Sequence, residues 1–344
     1  MHPLPLISNS DRRAARALMD SSCLRFEEGF DDLVGVFDGG RLCACGARAG
    51  RVLKMLVVAP EHRGTGLLAQ VVSELMRRGC EAGVSGYFIY TRPATAAVFE
   101  GLAFKLLAAT GRAVLLEHGN GLHRYLSERA SKLRDGRNAA VVVNADPFTV
   151  GHLALVAQAA TLADTVYVFV TSEGGFQLPL ETRLELAAIG TAHLTNVVVT
   201  DTGPYVLGRA TFPAYFLNQG EEIDLVRMEL DAELFGKCLA AAFQIAIRVV
   251  GSEPTDPVSR RYNQCLRQRL TDWNIQLVEI ERTRLGERWV DTRRARRALA
   301  AGDLAALGGL VPEGTLPCLG AATTGVAATT APGTKRGVSA EECQ

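Results

Sequence analysis

The amino-acid sequence predicts an α/β protein in two parts, an α+β domain followed by a doubly wound parallel sheet. Three observations predict it. From Ala139 onward, short apolar runs at 139–143, 166–170, 196–200, 246–251 and 275–280 alternate with longer helical segments. That rhythm calls for parallel strands joined by helical crossovers, with both sheet faces covered. The first hundred residues read differently, because 33–58 alternates in strand fashion about Asp38-Gly39-Gly40, a hairpin turn. Finally, 344 residues suffice for two domains with separate cores.

Each element follows from local pattern. Residues 10–20 read as a helix begun by Ser10 or Asp11, and strands follow between Leu33 and Val58. The glycine turn Arg63-Gly64-Thr65-Gly66 opens a helical run from Leu67 to Arg78. Gly86 to Tyr90 reads as a strand and Ala94 to Leu102 as a helix. Residues 119–137 carry Arg124, Arg129, Lys132, Arg134 and Arg137 on an expected linker helix, whose basic face is either solvated or a contact for an acidic carrier protein. Beyond Cys318 the chain is rich in Gly, Ala and Thr and lacks the apolar residues that offset ordering entropy. The expected division is therefore 1–118, a linker helix over 119–137, a second domain over 138–319, and a disordered tail over 320–344.

Composition excludes several classes of function. Lys+Arg and Asp+Glu both number 37, so no overall field draws the chain to nucleic acid or to an anionic membrane. Any anion must be held by local geometry. The eight cysteines are scattered, with only Cys43 and Cys45 close together. That spacing fits neither a zinc site nor an extracellular disulfide framework, and no residue is singled out as a metal ligand. Asp11, Arg12 and Arg13 break up the apolar N-terminus, so no signal peptide is expected. No apolar run approaches membrane-spanning length. A cytoplasmic protein is expected.

The stretch Val141 to His152 is where chemistry is expected. A buried strand runs into the polar turn Asn144-Ala145-Asp146-Pro147-Phe148, and Thr149-Val150-Gly151-His152 then opens an apolar-periodic helix. Such a joint aims free backbone N–H groups and the helix dipole at one spot, which suits a phosphate. Gly151 permits close approach, and His152 stands where an imidazolium can neutralise a transferring phosphoryl group. The plainer reading is an ordinary strand–loop–helix joint with a capping Thr and a surface His.

Thr149-x-Gly151-His152 after the Asn144-x-x-Pro147-Phe148 turn resembles the (His/Thr)-x-Gly-His signature of the nucleotidyltransferase superfamily. The fuller resemblance is to the citrate lyase ligase family. Pro179-x-Glu181-x-Arg183-Leu184 and Arg209-Ala210-Thr211-Phe212-Pro213-Ala214-Tyr215-Phe216 are similar to blocks that follow the signature there. So are Val250-Gly251-Ser252-Glu253-Pro254 with Tyr262-Asn263-Gln264, and Leu277-Val278-Glu279-Ile280-Glu281-Arg282. The blocks keep the family's order and cover roughly residues 20 to 318. The resemblance implies a Rossmann-like nucleotidyltransferase domain and an ATP-dependent ligase that uses Mg²⁺. Acetate and ATP would give acetyl-AMP and pyrophosphate, and the acetyl group would pass to a thiol. That thiol belongs to the dephospho-coenzyme-A-derived arm of the acyl carrier protein, the gamma subunit of citrate lyase.

The same resemblance implies residue roles. Thr149 and His152 would contact the triphosphate, with Gly151 beside them and Asn144, Ala145, Pro147 and Phe148 forming the floor. Arg183 would position phosphate or substrate, or else pair along its helix with Glu181 or Glu185. Arg209 would be a ligand contact or a buried structural residue. Gly251 and Glu253 would lie near the nucleotide's sugar, or form a plain turn helped by Pro254. Arg296 falls on the Arg of the superfamily's closing phosphate-binding signature, where Asp291 and Arg293 replace two hydroxyls. Ser172 and Gln177 stand where relatives tend to offer basic residues.

The first domain resembles the GNAT N-acetyltransferase fold, on the turn Arg63-Gly64-Thr65-Gly66 and the closing Val98-Phe99-Glu100-Gly101-Leu102-Ala103-Phe104. The resemblance implies pantetheine or pyrophosphate binding at Arg63, Gly64 and Gly66. Leu68 and Ala103 depart from the family pattern, and Leu68 would crowd the turn. Glu61 and Tyr90 are the candidate general bases. Active acetyl transfer, a docking surface for a pantetheine-bearing carrier, and a purely structural role all remain open. Two other functions stand beside the ligase: an adenylyltransferase acting on a small phosphorylated or coenzyme-like acceptor, and a catalytically weakened homologue that binds the carrier.

Overall fold

The computed structural model describes residues 2–208, 212–218, 220, 222–281, 284–285, 288–289 and 292–320. Arg209, Asp291 and the expected tail from residue 321 lie outside them. The first part runs β1 (Leu4–Pro5), α1 (Asn9–Ser21), β2 (Asp32–Asp38), β3 (Arg41–Ala49) and β4 (Val52–Val58). Then come α2 (Leu67–Glu81), β5 (Tyr87–Thr91), α3 (Ala96–Glu100), β6 (Phe104–Ala109) and β7 (Val114–His118). Its seven strands are ordered β1-β2-β3-β4-β5-β7-β6. This is the acetyltransferase-like arrangement that the sequence led us to expect.

Local chemistry sets these elements with two departures from expectation. The helix α1 starts earlier than Ser10 or Asp11. Ser8 caps it: its hydroxyl accepts the Asp11 N–H (3.1 Å), and the Asp11 carboxylate accepts the Ser8 N–H (3.0 Å). This reciprocal box satisfies two otherwise orphaned donors. The Asp38–Arg41 hairpin forms as expected, with Gly39 and Gly40 both at positive φ (54° and 83°), as a tight two-residue turn requires. The β6–β7 hairpin was not legible, because an irregularity between Leu106 and Ala108 breaks the two-residue alternation.

The second part begins with α4 (Gly121–Glu128) and continues β8 (Asn138–Val143), α5 (Val150–Ala160), β9 (Thr165–Val170), α6 (Leu180–Thr191) and β10 (Val197–Asp201). It ends with α7 (Ile223–Leu234), β11 (Ile245–Gly251), α8 (Pro257–Arg269), β12 (Gln276–Ile280), α9 (Thr292–Ala300) and α10 (Leu304–Leu307). All five strands are parallel, in the order β10-β9-β8-β11-β12. Strand order therefore reverses between β8 and β11. In open parallel sheets, ligands bind beyond the carboxyl ends of the strands at such a reversal.

The two faces of this sheet have different partners. Val166, Val168 and Val170 of β9 pack with α5, α6, α9 and α10. Tyr167 and Phe169 point the other way, with ring centroids 4.9 and 5.1 Å from Phe243. They join a buried cluster that continues into the first sheet. Tyr205 meets Phe88 at 6.1 Å, and Phe212 meets Tyr90 at 5.4 Å, both edge to face. The second part thus keeps a core of its own on one sheet face, while on the other face a shared core crosses between the two sheets. The expected linker helix also differs, being eight residues followed by a short 3₁₀ turn at Ala130–Lys132. Two of its cations face inward: Arg129 Nε donates to Asp201 Oδ2 (3.2 Å) and Lys132 Nζ to the Val199 carbonyl (3.0 Å). Arg124, Arg134 and Arg137 remain exposed.

Candidate active site

The β8–α5 turn lies at the sheet reversal. Val141 to Val143 supply the β-branched, two-sided apolar run of a central strand. Asn144 then emerges exposed, while Ala145 to Thr149 turn back into the protein. Ala145 takes a left-handed conformation (φ +52°) that a side chain seldom adopts. Thr149 is the N-cap of α5. Its Oγ1 accepts the His152 N–H (3.4 Å), and its own N–H donates to His152 Nδ1 (3.0 Å). A backbone N–H has no other role to play, so Nδ1 must be the ring's acceptor. The proton of the neutral imidazole therefore sits on Nε2, which becomes the ring's donor. Phe148, fully buried, lies 5.5 Å from the imidazole, centroid to centroid, and sets its floor.

Three corrections follow. The helix start offers fewer amides than the sequence suggested, because Leu310 O accepts the Val150 N–H (3.0 Å) and Thr149 Oγ1 occupies that of His152. Ala145, Pro147 and Phe148 are buried beneath the turn, so they support it and do not line an open surface. Arg183, 1% exposed, is a brace. Its Nε donates to Leu178 O (3.1 Å), and its Nη1 to Asn144 O (2.9 Å) and Thr171 O (2.7 Å). Its guanidinium also stacks 4.0 Å from the Phe176 ring. With Nε and Nη1 committed to carbonyls, it joins the loops after β8 and β9, and it makes no ion pair with Glu181 or Glu185 among the described residues.

Sequence reasoning missed Asp146, which is 1% exposed. Its carboxylate accepts the N–H groups of Gln177 and Leu178 (both 3.0 Å) and, from α9, Arg296 Nε (3.1 Å) and Nη2 (2.8 Å). One carboxylate thus ties three distant segments together, and it brings Arg296 to the turn as expected. The available signal was only an acid in a strand-terminal turn. Gln177 acts here through its backbone. Ser172 Oγ donates to Asp201 Oδ1 (3.2 Å), and Thr171 Oγ1 donates to Asn144 Oδ1 (3.0 Å).

The remaining residues fall in three places. Gly251 ends β11 beside β8, with open space where a Cβ would stand, and its carbonyl accepts Asn263 Nδ2 (2.9 Å). The carbonyls of Glu253 and Pro254 accept from Arg260, which shapes the following turn. Arg293 is exposed on α9, 3.9 Å from Asp256. The glycine turn of the first domain caps α2, with Gly64 and Gly66 at φ 78° and 82° and Arg63 exposed. Leu68 is partly buried and packs against the core. As for the candidate bases, Glu61 pairs with Arg41 (3.1 Å), and burial drives the Tyr90 phenol well above its ordinary range.

Comparison with known proteins places the chain among relatives by sequence. Residues 138–319 match the family model described as the citrate lyase ligase C-terminal domain. The chain is 37% identical to the [citrate [pro-3S]-lyase] ligase of Klebsiella pneumoniae over 286 residues, which cover 81% of this chain and 84% of that one. It is 36% identical to the enzyme of that name from Escherichia coli K12, over 80% and 81% of the two chains. For the one from Haemophilus influenzae it is 32% identical, over 83% and 87%. Among solved structures, an acyl-CoA N-acyltransferase from Klebsiella pneumoniae aligns at TM-score 0.29 and 15% identity over 34% of this chain and 94% of that one. Thermotoga maritima TmcAL bound with alpha-thio ATP aligns at 0.35 and 14% over 53% and 55%. These two scores are too low to bear on the fold, which rests on the strand order itself. A match over more than half the chain, joined to relatives above 30% identity over four-fifths of it, places the chain in the citrate lyase ligase family, a family of ligases.

Proposed function

We propose that this chain activates citrate lyase by joining acetate to the thiol of its acyl carrier protein's prosthetic arm, splitting ATP to AMP and pyrophosphate. The observation that supports it most is the Thr149–His152 box at the sheet reversal, in a chain of this family. In the first step an acetate oxygen attacks the α-phosphorus. The bond to pyrophosphate breaks, and the electron pair leaves with it. Acetate is already an anion, so no general base is required. The site must instead orient the reactants and stabilise charge on the phosphoryl oxygens. His152, with Nε2 as donor, and Arg296, anchored by Asp146, are the groups for that task. In the second step the thiolate sulfur attacks the acyl carbon, a C–S bond forms, the C–O bond to AMP breaks, and the thiol proton goes to solvent.

Mg²⁺ has no cage of its own here. Among the described residues no cluster of three His, Cys, Asp or Glu side chains could hold a metal, and Asp146 is already engaged by Arg296 and two N–H groups. The ion would arrive on the phosphates of ATP, and no step is assigned to it. No helix among the described residues is long and apolar enough to cross a membrane.

Product stoichiometry tests the proposal. With ATP, acetate, Mg²⁺ and deacetylated carrier, AMP, pyrophosphate and acetyl thioester should form in equal amounts. AMP transferred to the acceptor would instead support an adenylyltransferase, and carrier binding without turnover would support a non-catalytic homologue.

A further inference from the structure

A cavity of about 530 Å³ lies between the first sheet and the loop after β9, within the roughly 300–1,000 Å³ of small-molecule sites. On one side are Val52, Phe88 and Tyr90, which share a face of β4 and β5, where Val52 is the register partner of Phe88. On the other side is Ser172-Glu173-Gly174. That loop also borders the active site, since the preceding residue, Thr171, donates to Asn144 at the end of β8 (3.0 Å). Cavity and phosphate turn therefore lie on two sides of one short segment.

The charges in the cavity are unevenly committed. Lys54 Nζ is tied to Glu27 Oε2 (3.3 Å) and the Glu28 carbonyl (3.2 Å). Arg51, exposed at the rim, and half-buried Glu173 make no side-chain hydrogen bond or ion pair among the described residues. Burial raises the Glu173 pKa above the ordinary carboxyl value, with the Arg51 charge acting against it. A cation at the mouth and a carboxyl inside, neither in an ion pair among the described residues, together with an aromatic wall, suit a particular ligand. It would have a phosphate at one end and a long, mostly uncharged amide chain behind it.

We propose that this cavity receives the acceptor's phosphopantetheine-type arm, with Arg51 on its phosphate, Glu173 accepting an amide N–H, and Phe88 and Tyr90 packing its length. The inference rests on the ligase reading given above. It places the arm against Ser172–Gly174, on the short route to an acyl-adenylate at the β8–α5 turn. It also places the arm away from the glycine turn, because Arg63, Gly64 and Gly66 do not line this cavity.

The test is calorimetric titration of the full-length protein with 4′-phosphopantetheine, set beside acetate-dependent ATP–pyrophosphate exchange on the same preparations. Arg51→Ala should weaken binding about tenfold, as loss of one charge-assisted contact does. Val52→Trp, which fills the cavity, should remove measurable binding. Exchange should remain within about twofold of wild type, since neither residue belongs to the adenylation site. The Arg51 side chain is exposed and makes no hydrogen bond or ion pair among the described residues, so its variant remains informative if Val52→Trp fails to fold. Wild-type affinity in Arg51→Ala, or no binding by the wild-type protein, overturns the proposal. Arg51-dependent binding without any exchange would leave the arm site standing and remove the ligase reading.

Discussion

The Thr149 N–H donates to His152 Nδ1 and so sets the tautomer of the ring, and the consequences can be measured residue by residue. Thr149→Ala removes the cap of α5, and a lost N-cap costs about 1 kcal/mol. The urea midpoint should fall accordingly, and Thr149→Ser should restore it. Asp146→Ala would strand Arg296 and two N–H groups at once, so a loss on the order of 3 kcal/mol is expected; a variant as stable as wild type would refute the hub assignment. Arg183→Met leaves carbonyls of Leu178, Asn144 and Thr171 without a donor. It should destabilise by about 2 kcal/mol. Thr149 and His152 were legible in the sequence because their interaction spans three residues. Asp146 and Arg183 were not, because their partners lie up to 150 residues away and only the fold brings them together.

At the scale of elements, the five parallel strands were legible because buried strands read as short β-branched runs. The β6–β7 hairpin, with its broken alternation, was not. Nor was the attachment of α4, which depends on Tyr125 donating to the Asp201 carbonyl (2.8 Å) and Arg129 to its carboxylate. Burial alone would raise the Asp201 pKa. Arg129, the Gly203 N–H and Ser172 outweigh it, so the group titrates below its ordinary 3.8. With the folded value below the unfolded one, this stabilisation is complete above the unfolded pKa and is lost as pH falls through the folded value. Unfolding midpoints measured from about pH 6 down to about pH 3 should therefore show the gap between wild type and Asp201→Asn closing below about pH 4. A constant gap would mean that the pair contributes nothing to holding α4.

At the scale of the molecule, composition excluded a bulk anion-binding field, and the family resemblance pointed to the second half for the proposed chemistry. Composition gave no sign that Tyr205, Phe212 and their neighbours would join the two sheets through a shared core, since that depends on which sheet face each aromatic meets. The cavity bordered by Arg51 and Glu173 was hidden for the same reason, because its walls come from segments far apart in sequence. Deleting 321–344, a segment poor in apolar residues, should leave activity unchanged. Soluble truncated protein with most of its activity gone would contradict that. The central claim is acyl-adenylate chemistry at the β8–α5 turn. Its most direct test is acetate-dependent ATP–pyrophosphate exchange in the wild-type protein and in folded His152→Ala. Exchange that requires acetate and disappears in the variant is the expected result; exchange that persists near the wild-type rate in His152→Ala would contradict the account.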